Sequence, residues 1–121
     1  MIGLLAAAAA AVAPAATPLP AEIAAMAGRW TVDLRPKFSD PPYSQPMIIA
    51  IAPDRVVTGS FYNSEILAGR AGRGQDRACV AFRTTDGKGM YHTSACLVEG
   101  KMIGQTWAEG REFVLPWTAE R

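Results

Sequence analysis

Histidine occurs once in this chain of 121 residues and cysteine twice, while 12 Lys and Arg nearly balance 11 Asp and Glu. Each scarcity excludes something. A formal net charge of +1 leaves no large excess of basic side chains to neutralise phosphates, so nucleic acid is not an expected partner. One His and two Cys supply too few soft ligands for a structural zinc site, and the CxxC spacing of a redox pair is absent. Neither a metal nor a cofactor is expected. Long apolar runs are missing as well. The longest, over residues 2–13, is too short and too rich in alanine to span a bilayer, so no stable membrane insertion of the mature chain is expected.

That run fits another use. The opening "MIGLLAAAAAAVAPAATPLPAEIA" carries no charge before Glu22, and its apolar part closes on Ala13-Pro14-Ala15, the small-x-small pattern of a secretory cleavage site. The basic residues that usually precede such a run are absent. Residues 1–16 read as a signal peptide and 17–121 as a single domain, periplasmic or secreted. Two cysteines in a small exported domain point to one disulfide.

Pro20 to Gly28 has the marks of a short helix, with Pro and Glu in its first turn and Gly at its end. "RWTVDL" then alternates apolar and polar residues as a strand does. The four prolines of the following "RPKFSDPPYSQP" bar a central strand or regular helix there. Beyond it, "MIIAIA", "RVVTGSFY", "EILAGRA", "RACVAFRTT", "MYHTSACLV", "KMIGQTWA" and "REFVLPWTA" are divided by turn residues, among them a "GRGQD" loop. Eight short strands at this spacing predict an all-β fold, an antiparallel sandwich or barrel.

Cys79 and Cys96 stand at mirror positions about Asp86-Gly87-Lys88-Gly89. A hairpin turning on Gly87-Lys88 pairs residues whose numbers sum to 175, a sum the two cysteines satisfy. At a non-hydrogen-bonded site their Cα atoms would lie about 4.5 Å apart, within reach of a cross-strand disulfide. A four-residue loop would keep the pairing but exchange the site type. Carrying the register through bends at 99–100 and 109–110 sorts the last four strands into two faces. The inward rows are Val80, Ala95, Gly104 and Leu115; Phe82, Thr93, Thr106 and Phe113; and Ala78, Leu97, Met102 and Trp117. The outward face takes the disulfide with Ile103 and Pro116, then Arg83, His92, Trp107 and Glu112. Pro116 fits an edge, a bulge or a barrel rim better than a central ladder.

A short helix, then Gly28-Arg29-Trp30, then eight short strands in succession resembles the calycins, the up-and-down barrels that include lipocalins and avidins. In lipocalins a Gly-x-Trp opens the first strand, and an Arg near the end of the last strand packs over that Trp. Gly28, Trp30 and Arg121 occupy those places. The resemblance implies an antiparallel up-and-down eight-stranded barrel over 21–121, with the Pro-rich loop 35–46 across its mouth. "VTGSFYNSEI" and three tryptophans are avidin-like. However, the Asn and Ser of an avidin biotin site are replaced by Thr31-Val32-Asp33-Leu34-Arg35, so biotin is not carried over.

Candidate chemistry is sparse. His92 has Arg83, Ser94 and Trp107 beside it on the outer face. The acid placed nearest by this register, Glu112, lies beyond Trp107 and is ill-positioned to orient the imidazole. No catalytic residue is assigned and no enzyme is expected. The run Gly69-Arg70-Ala71-Gly72-Arg73-Gly74 with Arg77 could hold an anion on backbone N–H groups and guanidinium forks, or be a solvated loop; no Walker motif follows it. Asp86-Gly87-Lys88-Gly89 lacks the spaced oxygens of a calcium loop.

On the inward face, Phe82, Tyr91, Thr93, Thr106 and Phe113 lie near one end and carry more hydroxyls than a filled core needs, unless those bond the backbone. They are the candidate ligand-binding residues of a barrel that takes a small apolar or amphipathic molecule. The alternative is a macromolecule-binding module, an inhibitor or an envelope-complex component. It would act through Phe38 and Tyr43, the aromatic handles of the Pro-rich loop 35–46, or through the exposed Trp107.

Overall fold

Strict alternation of inward and outward side chains runs through Arg77–Thr85, and the same period of two governs most of the chain. The computed structural model describes residues 17–121; the signal peptide expected over 1–16 lies outside the described residues. A one-turn helix α1 (Ala21–Ala24), shorter than the predicted one, precedes strands β1 (Gly28–Asp33), β2 (Ser44–Ile51), β3 (Val56–Phe61) and the two-residue β4 (Ser64–Glu65). Strands β5 (Leu67–Gly74), β6 (Arg77–Thr85), β7 (Met90–Val98) and β8 (Lys101–Ala108) follow, then a 3-10 turn (Glu109–Arg111) and β9 (Phe113–Glu120).

Each long strand pairs antiparallel with its neighbour in sequence, and β1 closes on β9 through Thr31–Asp33 and Thr118–Glu120. The result is a closed eight-stranded antiparallel barrel with one short helix, as expected; β4 is a small ribbon on β3. Closure removes the long free edges that an open sheet would present. The connections after β1, β3, β6 and β8 gather at one end, the mouth. Helix α1 and the turns after β2, β5 and β7 gather at the other.

The helix end is sealed. Ile23, Met26 and Trp30 are fully buried there and share one core with Val32, Met47 and Met102. The Trp30 indole N–H donates to the Met26 carbonyl at 2.9 Å. Arg121 lies over the Trp30 ring, its guanidinium carbon 4.1 Å from the ring centre, and donates to the carbonyls of Ala27 and Ala25. Gly28 has φ +119°, and a Cβ there would come within 2.7 Å of the Arg121 guanidinium. The Gly-x-Trp and the C-terminal Arg thus act as one closing device, the packing implied by the lipocalin resemblance.

The β6–β7 register is the expected one. Cys79 faces Cys96, Val80 faces Ala95 and Phe82 faces Thr93. The cysteine Cα atoms are 4.0 Å apart and the sulfurs 2.04 Å, a disulfide. The ladder ends at Thr85–Met90, so the turn has the four residues Asp86–Gly89 rather than two. Asp86 Oδ1 holds it by accepting from the N–H groups of Lys88 and Gly89 at 2.8 and 3.1 Å, the self-bonding that favours Asp in turns.

The β8–β9 register differs from the expected one by two residues. Gly104 faces Trp117 rather than Leu115, Thr106 faces Leu115, and Ala108 faces Phe113. The 3-10 turn and Glu112, with φ 55°, lengthen the connection beyond a simple bend at 109–110. Packing explains the choice: a Cβ on Gly104 would come within 2.6 Å of the Trp117 indole, so only glycine accepts the large ring directly opposite. A shift of two preserves the faces, hence Val80, Phe82, Thr93, Ala95, Met102, Thr106 and Trp117 are buried as expected. Phe113 is not. Moved up to the rim, it is 41% exposed, and Glu112 falls in the turn instead of opposite Trp107.

Two further expectations are corrected. The glycine-rich run 69–74 is not a loop but strand β5, turning into β6 at Gln75-Asp76, both at positive φ. Its N–H groups along the β6 ladder are therefore engaged in sheet pairing and form no anion-binding nest. Pro46 also sits inside a ladder, opposite Thr31. Pro116 faces Gln105 but lies at an edge, as expected: β1 joins β9 only from Thr118 onward, so no rung is lost on that side.

Candidate functional site

At the mouth, β1 ends at Asp33 while β9 continues upward without a β1 neighbour from Trp117 to Phe113. The barrel opens in that gap. A cavity of about 410 Å³ occupies it, walled by Leu34, Pro36, Phe61, Phe113 and Leu115. Thr84 and Thr106 from β6 and β8 reach it from below. The chain has three tyrosines, and Tyr43, Tyr62 and Tyr91 all line this one cavity.

Two polar clusters frame it. On one side Tyr43, just before β2, meets Tyr62, just after β3, edge to face with ring centres 6.2 Å apart and hydroxyls in contact. On the other, the Tyr91 hydroxyl donates to Asp86 Oδ2 at 2.7 Å, and Arg111 approaches the same oxygen at 3.5 Å. The Tyr91 hydrogen bond and the backbone N–H donors hold the Asp86 carboxyl down at about 2, against an ordinary 3.8. The same bond pushes the Tyr91 phenol up, because phenolate would face carboxylate.

The candidate ligand-binding residues divide between wall and floor. Tyr91, Thr106 and Phe113 line the cavity. Phe82 and Thr93 are buried beneath it, at 3% exposure each. Phe82 packs edge-on against Phe61, ring centres 5.7 Å apart. The threonine hydroxyls bond each other rather than the backbone: Thr93 Oγ1 and Thr106 Oγ1 are 2.9 Å apart, and the Trp117 indole N–H donates to Thr106 at 3.0 Å. Thr106 thus links the cavity wall to the core below it. Leu34, Phe61, Tyr62, Thr84, Asp86, Arg111 and Leu115 also line the cavity and were not among the candidates. The signal available for them was topological: alternate connections of an up-and-down barrel share one end.

The two loop aromatics separate. Tyr43 belongs to the cavity wall, whereas Phe38 is 81% exposed. The loop itself is pinned. Arg35 donates to two acceptors: its Nε and Nη2 bind the Asp33 carboxylate at 3.0 and 2.7 Å, and Nη1 reaches the Phe38 carbonyl at 3.2 Å. The guanidinium lowers the Asp33 carboxyl below its ordinary value.

On the outer face, His92 stacks on Trp107 with ring centres 4.9 Å apart. Its Nε2 lies 2.9 Å from Glu109 Oε2, so the acid beside it is Glu109 and not Glu112. Ser94 makes no hydrogen bond to this pair among the described residues, and those residues hold no cluster of metal-ligating side chains. Nor do they include a helix long and apolar enough to cross a membrane. No family model, curated protein or solved structure matches the chain.

Proposed function

We propose that the protein is an exported binding barrel that takes one small amphipathic molecule into the mouth cavity. One observation carries the reading: an opening of about 410 Å³ into which all three tyrosines, two phenylalanines and two leucines converge. Small-molecule sites are concave, mostly apolar and furnished with few polar groups that fix orientation. Here the apolar body would lie against Phe61, Phe113 and Leu115, with the tyrosine hydroxyls and Thr84 orienting its polar end. Export is supported by the apolar leader in the sequence and by the Cys79–Cys96 disulfide.

Native mass spectrometry of the protein purified from its own host should find a small molecule retained. Anilinonaphthalene sulfonate should bind the emptied protein, and Leu115→Trp, which fills the cavity, should weaken that binding at least tenfold. Absence of both a retained molecule and dye binding would overturn the reading. The exposed Phe38 favours a second reading, a protein partner held by the Pro-rich loop. A protein that co-purifies with the wild type and is lost on Phe38→Ser would support it.

A further inference from the structure

The arginines of the glycine-rich run play no part in the mouth. Arg70 on β5 and Arg77 and Arg83 on β6 are exposed, and none makes an ion pair among the described residues. Around them the outer wall is bare. A Cβ added at Gly72 or Gly74 would meet nothing within 4 Å, and Ala81 separates Arg70 from Ser94 across the ladder.

With Ala68 and Ala81 as the small residues of its lining, a shallow concavity of about 520 Å³ lies over β5–β9, separate from the mouth. Arg70 and Arg83 stand at one end; Ser94 and Gln105, a cross-strand pair, form its floor; Trp107 and Val114 close the other end. The His92–Glu109 contact and the imidazole stack brace Trp107, which is still 47% exposed. Glu109 is the acid beside the concavity and is already engaged by His92, so the free charge facing it is positive.

We propose that this concavity is a second binding site, for an acidic oligosaccharide. Its carboxylates pair with the guanidinium forks of Arg70 and Arg83. Its hydroxyls exchange hydrogen bonds with the Ser94 hydroxyl and the Gln105 amide, each both donor and acceptor. One sugar ring lies against the indole of Trp107, an apolar surface with a polar rim. A peptide is the poorer fit, since β6, β7 and β8 beneath the concavity are each paired on both sides and present no edge for backbone pairing. A lipid surface is poorer too, because the floor is polar.

The probe is a short oligogalacturonate, titrated into the full mature protein by calorimetry and by tryptophan emission. Trp30 and Trp117 are buried, so a change in emission reports Trp107. The expected result is binding that weakens with salt, at least tenfold loss in Arg70→Ser/Arg83→Ser, and loss of the emission change in Trp107→Phe. A neutral dextran oligosaccharide should not bind. Circular dichroism and the intact disulfide check each variant's fold, and either variant alone suffices. The proposal is overturned if oligogalacturonate fails to bind, if the variants bind it as wild type does, if polyglutamate binds as tightly, or if phosphatidylglycerol vesicles bind and oligogalacturonate does not.

Discussion

The two ends of this barrel are built from the same alternating strands and reach opposite outcomes. At the helix end, α1, Trp30 and Arg121 fill the opening, and Ile23, Met26, Trp30 and Met102 are at most 1% exposed. At the mouth, β9 rises without its β1 neighbour, and Phe61, Leu115 and three tyrosines line an open cavity. The sealed end shows that the chain can fill a barrel end when stability alone is at stake. An open end lined with aromatic rings leaves apolar surface uncovered, a cost that a bound ligand would offset.

The largest effect that would break this comparison is at the sealed end. Trp30→Ala should cost roughly 3–5 kcal/mol, most of the stability of a small domain. Phe113→Ala at the mouth should cost below about 1 kcal/mol, as changes at partly exposed positions away from the core usually do. Urea titration of both variants checks the contrast, and equal losses would mean that the mouth is as much core as the other end.

Next in size is the disulfide. Closing a loop of this length is worth about 3 kcal/mol in the chain-entropy model. A hairpin already held by its own ladder should yield less, so Cys79→Ser/Cys96→Ser should lose about 1–3 kcal/mol, read as a fall in the urea midpoint. Gly104→Ala should lose about 1–3 kcal/mol by overpacking against the Trp117 indole. Adding Trp117→Phe should recover part of that loss, since the two positions face each other. Full additivity of the pair would contradict the role given to Gly104 in setting the β9 register.

How much of this was legible in the sequence differs between the two ends in the same way. Gly28, Trp30 and Arg121, the strand succession and the cysteine pairing are local or follow one register rule, and they describe the sealed end and the β6–β7 hairpin well. The mouth is assembled from connections far apart in the chain. Its residues Leu34, Phe61, Tyr62 and Leu115 carry no common spacing. The β9 offset turned on a contact between Gly104 and an indole, which alternation cannot report because a shift of two leaves every face unchanged. For the same reason the inner and outer sets were right while Phe113 was misplaced in height. The run 69–74 looked like a loop because glycine is common in loops; here Gly69 packs against Val57 and Ile66, and Gly72 and Gly74 keep the wall bare.

The smallest effect concerns the polar frame of the mouth. Asp86 titrates at about 2 in the folded protein against an ordinary 3.8, so the native state binds fewer protons than the unfolded chain in that range. Its contribution to stability is therefore complete above about pH 4 and is lost as pH falls through about 2. Tyr91→Phe removes the largest cause of the depression, and the Asp86 carboxyl, followed by NMR, should then titrate closer to 3.8. An unchanged value would show that the backbone donors of the turn suffice, and that Tyr91 does not tie the β6–β7 turn to the cavity.

The central claim is that the mouth, and not the sealed end or the outer wall, takes the small amphipathic ligand. Amide shift mapping of the isotopically labelled protein during titration with anilinonaphthalene sulfonate tests it directly. Saturable shifts are expected at Leu34, Tyr43, Thr84, Tyr91 and Leu115, with Ile23 and Trp30 at the sealed end and Ile103 on the outer wall unmoved. Shifts centred on Ile103, Trp107 and Val114, with the mouth residues silent, would contradict it.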